Sequence, residues 1–175
     1  MNYSIITPTI LDVEASGFGH NSYPIEVGVV TGEQKRYCSL IKPQPKWTYW
    51  DKDAEALHGI SRDLLKQRGL APTEIAIELN NLLYGQTVYS DGWVVDHPWM
   101  IKLFNAAGMS MQFRLSALEM ILNEKQMAIW HSVKDRLHQE SRLKRHRAST
   151  DASIIQQTFV TTQHMSASVS QCKPA

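Results

Sequence analysis

The sequence predicts an α/β protein, a mixed five-stranded sheet flanked by helices. Two observations carry that expectation. Three β-rich runs follow one another near the amino terminus, and from residue 53 onward the apolar period turns helical, with two further strand-like runs set between helices. An antiparallel start that feeds alternating helices and strands is the layer order of a mixed sheet. At 175 residues the chain suits one domain with a sizeable core and is short for two.

The elements read as follows. Residues 7–13 (TPTILDV), 24–31 (PIEVGVVT) and 35–42 (KRYCSLIK) are rich in β-formers and separated by Gly, Asn, Ser and Pro. Thr31-Gly32-Glu33-Gln34 is a hairpin turn between the last two. Residues 43–53 carry Pro43, Pro45, Trp47 and Trp50 and form an irregular surface segment. Those tryptophans either pack the segment onto the body or offer stacking platforms, and neither role is assigned. A helical turn at 53–57 precedes RDLLKQ, capped by Ser61 and closed by Gly69, and Pro72 opens TEIAIELNNLLY before Gly85. A strand is expected at 86–91. In WVVDHPWMIKLFNAAG, residues Val95, Trp99, Leu103 and Ala106 fall on one helical face, and a short strand follows at MQFRL. Residues 116–143 read as helix with an interruption near Asn123, 149–163 as the last helix, and 164–175 as a flexible polar tail.

Composition excludes several classes. With 18 Lys and Arg against 17 Asp and Glu, the net charge of +1 gives no global field for a polyanion or a membrane surface, so such a partner needs a local patch. Cys38 and Cys172 are the only cysteines, too few for a disulfide framework or a four-cysteine zinc site, and a reducing compartment is the simple reading. MNYSIITPTI lacks a basic, apolar secretory leader, and no run approaches the ~18–20 apolar residues of a membrane span. A soluble, cytoplasmic protein is expected.

Chemistry concentrates in three places: Asp12-Val13-Glu14 at a strand end, Asp96 within SDGWVVDHPW, and HRASTDAS, where His146 precedes Asp151 by five residues. Alternate strand residues share a face, so Asp12 and Glu14 lie about 7 Å apart and repel unless a metal ion, a cationic side chain or a shared proton intervenes. Hard divalent cations such as Mg²⁺ or Mn²⁺ prefer carboxylate oxygens and share coordination with substrate phosphates. Four carboxylates from three elements suit a pair of such ions, the arrangement of two-metal phosphodiester hydrolysis, and His146 is the candidate general base. Asp91 competes with Asp96 as the middle ligand or serves as a turn or capping residue. The basic run RLKRHR at 142–147 is either a solvated helix end or a source of phosphate contacts from Arg142, Lys144, Arg145 or Arg147. Ser149 or Thr150 could cap the last helix.

As an ordered set these motifs resemble the DEDDh-type 3'-to-5' exonucleases. DVEASGFG is similar to the first family motif, YSDGWVVDHPW to the second and HRASTDAS to the third, with EALHGIS at 55–61 similar to the His-Gly-Ile segment of these enzymes. The resemblance spans roughly residues 7–160 and implies a ribonuclease H-like fold in a single exonuclease domain over 1–163. It departs from the family pattern where Ser16-Gly17 replaces Thr-Gly and where no His-Asn precedes Asp96.

What the resemblance implies is specific. Asp12, Glu14, Asp96 and Asp151 would hold two Mg²⁺ or Mn²⁺ ions, and His146 would take the proton of the attacking water. ASGF resembles the ribonuclease T sequence, which implies that Ser16, Gly17 and Phe18 bind the substrate, with Phe18 wedging or stacking on the terminal base; simple packing of Phe18 under the loop is the alternative. Leu57 and His58 would approach the terminal nucleotide, though His58 could equally be buried and hydrogen-bonded. Arg145 and Arg147 complete the expected substrate contacts. The implied partners are 3' ends of single-stranded DNA or RNA, and homodimerisation through the stretch at 116–143 is an open possibility. A non-catalytic nucleic-acid binding module and a polymerase proofreading subunit are the alternatives.

Overall fold

Alternation along the first strand decides what each face of the sheet does. In β1 (Ile10–Ala15), Leu11, Val13 and Ala15 point into one apolar layer, while Ile10 joins a second, and Asp12 and Glu14 follow Ile10 on that second face. The strand runs two residues past its expected end, so both carboxylates lie within the sheet. The computed structural model describes residues 7–141 and 146–168.

Two antiparallel strands follow, β2 (Pro24–Val30) and β3 (Arg36–Leu40), then α1 (Lys52–His58), α2 (Arg62–Arg68), α3 (Pro72–Leu83), β4 (Thr87–Ser90) and α4 (Trp93–Ala107). The chain continues with β5 (Arg114–Ala117), a 3₁₀ turn (Leu118–Ile121), α5 (Glu124–Glu140) and α6 (Ala148–Ser168). Sheet order is β3-β2-β1-β4-β5, with β1–β2 and β2–β3 antiparallel and β1–β4 and β4–β5 parallel, the mixed sheet expected.

One face is covered by α3 and α4, whose Ile75, Leu79, Met100 and Leu103 pack with Leu11, Val13, Val27 and Val29. The other is covered by α5 and α6, where Trp130, Ile155 and Phe159 pack with Ile10 and Val30. Trp47 stacks on Tyr23 at 5.3 Å between ring centroids and Trp50 donates to Glu55 at 2.8 Å, so both tryptophans tie their segment to the body.

Several boundaries differ from expectation. The last strand sits three residues later than MQFRL, and residues 116–123 are strand end and 3₁₀ turn, because Asn123 forms a capping box with Gln126 that starts α5 there. The buried face of α4 is Asp96, Trp99, Met100, Leu103 and Phe104; Ala106 is exposed. An apolar-period reading misses that face because a carboxylate occupies it. α6 continues through Ser168, past the expected end at 163, and residues 169–175 lie outside the described residues.

α6 approaches the sheet closely. A Cβ on Gly28 would come within 2.2 Å of the Ala148 carbonyl carbon and 2.3 Å of the Ser149 nitrogen. Gly28 pairs with Asp12 across the β1–β2 ladder, so this glycine admits the start of α6 directly over the first carboxylate. Further along, the Gln156 amide donates to the carbonyls of Pro8 at 2.8 Å and Thr31 at 3.0 Å. Gly28→Ala should therefore destabilise the protein by at least ~1–3 kcal/mol, since the obstructing atoms are backbone. A lowered urea midpoint at unchanged m-value checks it.

Candidate active site

The site forms where β1 and β4 end. β1 and β2 part at a register irregularity between Glu14 and Ala15, and the chain turns through Ser16, Gly17 and Phe18. Gly17 has φ 148°, and a Cβ there would lie 2.7 Å from Asp51 and 2.8 Å from Tyr49, so the turn needs glycine. The loop is pinned from α4: Trp99 Nε1 donates to Ser22 Oγ at 2.8 Å, and the Lys102 ammonium donates to the carbonyls of His20 and Ser22. Phe18 is left 71% exposed, its ring 6.4 Å from that of Trp99.

Asp96 enters from the first turn of α4 and is 3% exposed. Ser90 Oγ donates to its carboxylate and accepts from Gly92 N at 2.9 Å, which fixes the start of the helix and the carboxylate together. The Val13 backbone N–H also donates to Asp96, tying it to β1. The rival carboxylate, Asp91, is instead ion-paired with Lys134.

Asp151 and His146 come from the start of α6. Glu26, fully buried on β2 and paired with Glu14 across the ladder, accepts from Arg147 Nε at 3.0 and 3.1 Å, Arg147 Nη2 at 2.5 Å and the Ala148 backbone N–H at 2.9 Å. A carboxylate from another strand thus caps this helix, in place of Ser149 or Thr150. His146 adopts φ 58°, a left-handed conformation that β-carbon residues rarely take, and its backbone N–H donates to the Asp151 carboxylate. One ligand atom each from Glu14, His146 and Asp151 lie within 4.8 Å of one another.

These groups line one cleft of about 430 Å³ together with Asp12, Asp96, Gly17, Phe18, Leu57 and His58. Three expected substrate contacts fare differently. Ser16 is fully buried and its hydroxyl accepts from Tyr23 N at 3.1 Å, so it supports the turn and does not line the cleft. Arg147 is engaged by Glu26 through Nε and Nη2, a charge-assisted bidentate pair, and does not line the cleft. Arg145, with Arg142 and Lys144, lies outside the described residues. His58 is buried, with Nδ1 accepting from Ile60 N at 3.0 Å, which in the neutral ring places the proton on Nε2.

Sequence reading missed the contribution of α5. His131, Lys134, Asp135 and His138 all line the cleft, and their spacing of three, four and seven was the available signal. The stretch for which a dimer contact is an open possibility is partly cleft wall and partly packed on α6, through Trp130 among others.

The electrostatics follow from crowding. Burial raises Asp12, and the charges of Asp96, Glu14 and Asp151 raise it further. Glu14 is pushed from 4.5 to about 8, mainly by burial and Asp151, with Arg147 opposing. Asp96 is pushed from 3.8 to about 7 by burial, against the Ser90 and Val13 hydrogen bonds. Burial raises Asp151 as well, against His138 and His146. Hard oxygen donors that resist ionisation unless a cation joins them fit a divalent-metal site.

A stability consequence has a definite sign. Carboxyl groups with raised folded pKa values stabilise the metal-free fold below about pH 4, and that contribution is lost as pH rises through about 7 to 8. The melting temperature in EDTA should fall from about pH 5 to about pH 8, and saturating Mg²⁺ should flatten the fall, because cation binding favours the ionised carboxylates. Calorimetric scans across that range check both parts.

No family model matches the chain, and no curated protein matches it in sequence. Solved structures match it in fold. Exonuclease I from E. coli in complex with a dT13 oligonucleotide aligns with a TM-score of 0.68 at 12% identity, covering 94% of this chain and 43% of that one. A moderately thermophilic exonuclease I from Methylocaldum szegediense aligns with a TM-score of 0.66 at 11% identity, covering 90% and 40%. The zinc-bound form of the E. coli exonuclease I complex with single-stranded DNA gives 0.64 at 14%, covering 91% and 42%. The chain spans less than half the length of these proteins. Its mixed five-stranded sheet flanked by helices matches the ribonuclease H-like fold of these exonuclease I structures, the fold expected from the sequence.

Proposed function

We propose that the protein is a metal-dependent 3'-to-5' exonuclease that hydrolyses phosphodiester bonds at the 3' end of single-stranded DNA or RNA and releases mononucleotides. One observation carries the reading: Asp12, Glu14, Asp96, Asp151 and His146, drawn from β1, α4 and the start of α6, line a single cleft. Exonuclease I structures of the same fold were solved with single-stranded oligonucleotides, which supports the substrate class.

Asp12, Glu14 and Asp151 would hold one Mg²⁺ or Mn²⁺ ion, and Asp12 with Asp96 a second. Two such ions supply Lewis acidity toward the phosphodiester and toward water. His146, whose ring shares a cluster with Glu14 and Asp151, takes the proton of the attacking water. Its backbone N–H holds Asp151, so base and ligand are placed by one turn of chain. Phe18, exposed at the cleft and backed by Trp99, stacks on the terminal base, while Leu57 and His58 bound the same nucleotide. The binding-module alternative calls for a lost ligand, and all five residues are present.

Labelled single-stranded DNA, single-stranded RNA and duplex with a 3' overhang, each with Mg²⁺ and with Mn²⁺ at one salt concentration, test the activity and its substrate. Asp12→Ala should remove turnover, and His146→Ala should lower kcat by roughly 10²–10⁴-fold while both keep wild-type circular dichroism. Near-normal degradation by both variants would sink the assignment. Phe18→Ala should raise KM about tenfold or more with less change in kcat, since base stacking contributes ~1–3 kcal/mol.

A further inference from the structure

A second wall of the cleft is the face of α5 that carries His131, Lys134 and His138. The neighbouring face is fixed: Trp130, one turn before Lys134, packs with Ile155 and Phe159, and the Gln126 amide donates to Thr162 Oγ1 at 3.3 Å. α5 therefore presents Lys134 to the cleft as a set feature. Among the described residues lining the cleft, Lys134 is the only lysine or arginine.

Its ammonium is ion-paired with Asp91, at the turn between β4 and α4, and the side chain is 26% exposed. An ammonium has three N–H donors, so a single carboxylate partner orients the group and leaves donor capacity for the cleft. The charge acts on both Asp96 and Asp151. Lys134 and His131 also line an adjoining cavity of about 240 Å³ formed with Asp91, Leu118, Glu119, Leu122 and Trp130, so Lys134 is the cation at the boundary between the two.

With the 3'-terminal nucleoside beside Phe18 and its phosphate over the carboxylates, as proposed above, α5 is the wall that offers the rest of the strand a cation. We propose that Lys134, oriented by Asp91, contacts the phosphodiester one nucleotide to the 5' side of the scissile bond, making α5 the phosphate-binding wall that feeds the strand across the adjoining cavity. The inference rests on the exonuclease reading above. The bland alternative is that Lys134 only neutralises the carboxylates around it.

Single-stranded DNA with one neutral methylphosphonate at that linkage separates the two. Wild type should lose about tenfold or more in kcat/KM on the neutral linkage, the scale of a charged hydrogen bond. Lys134→Met should be slowed to a similar degree on unmodified DNA and be indifferent to the methylphosphonate, whereas Lys134→Arg should keep the sensitivity. If Lys134→Met does not fold by circular dichroism, Asp91→Asn combined with Lys134→Met removes the pair together and carries the same expectation. A lysine-less variant that retains full sensitivity, or tighter Mn²⁺ binding by calorimetry with sensitivity unchanged, overturns the proposal in favour of simple neutralisation. Wild type that degrades unmodified DNA but ignores the neutral linkage also overturns it. Wild type that degrades no unmodified substrate instead brings down the exonuclease reading, and this inference with it.

Discussion

The buried carboxylate of Glu26 holds the beginning of α6 on the sheet, and the site depends on that attachment. Glu26 has no access to water, so its charge is tolerable only with strong partners, and Arg147 and the Ala148 N–H supply them. The helix start is thereby placed beside Glu14, its cross-strand neighbour. Gly28, two residues on and facing the same side, removes the side chain that would hold the helix away. A capping interaction, a ladder register and a missing Cβ together bring Asp151 and His146 to the carboxylates of β1.

The same closeness concentrates negative charge. Asp12, Glu14, Asp96 and Asp151 come from three separate parts of the chain and raise one another's affinity for protons. Neutralising charges arrive from outside the cluster: Arg147 beside Glu14, and Lys134 acting on Asp96 and Asp151. These cations sit at the margins and leave at the centre a set of oxygen donors that suits a hard cation. The fold therefore holds its acidic centre by fixing helices from the rim, with Ser90, Glu26 and Asp91 each anchoring a helix start or a helix face.

Much of this was legible in the sequence because alternation and spacing are local. The strands, the helix starts at Ser61 and Pro72, and the pairing of Asp12 with Glu14 on one face follow from short-range patterns. What stayed hidden was set by tertiary partners. Arg147 reads as a free surface cation until Glu26, 121 positions earlier, is seen to bind it. Ser16 reads as a cleft residue until the Tyr23 N–H takes its hydroxyl. Glu26 itself left a trace, a lone carboxylate inside the otherwise apolar PIEVGVV, the same anomaly that drew attention to Asp12 and Glu14. The α5 stripe carried a helical spacing but no hint of which cavity it would face.

The left-handed backbone at His146 has an implication for selection. Glycine would relieve of order 1 kcal/mol of conformational strain there, and asparagine tolerates the same geometry. Mutational drift screened for thermal persistence alone would then favour losing the imidazole. With the base role proposed for His146, this position would trade some firmness of folding for activity.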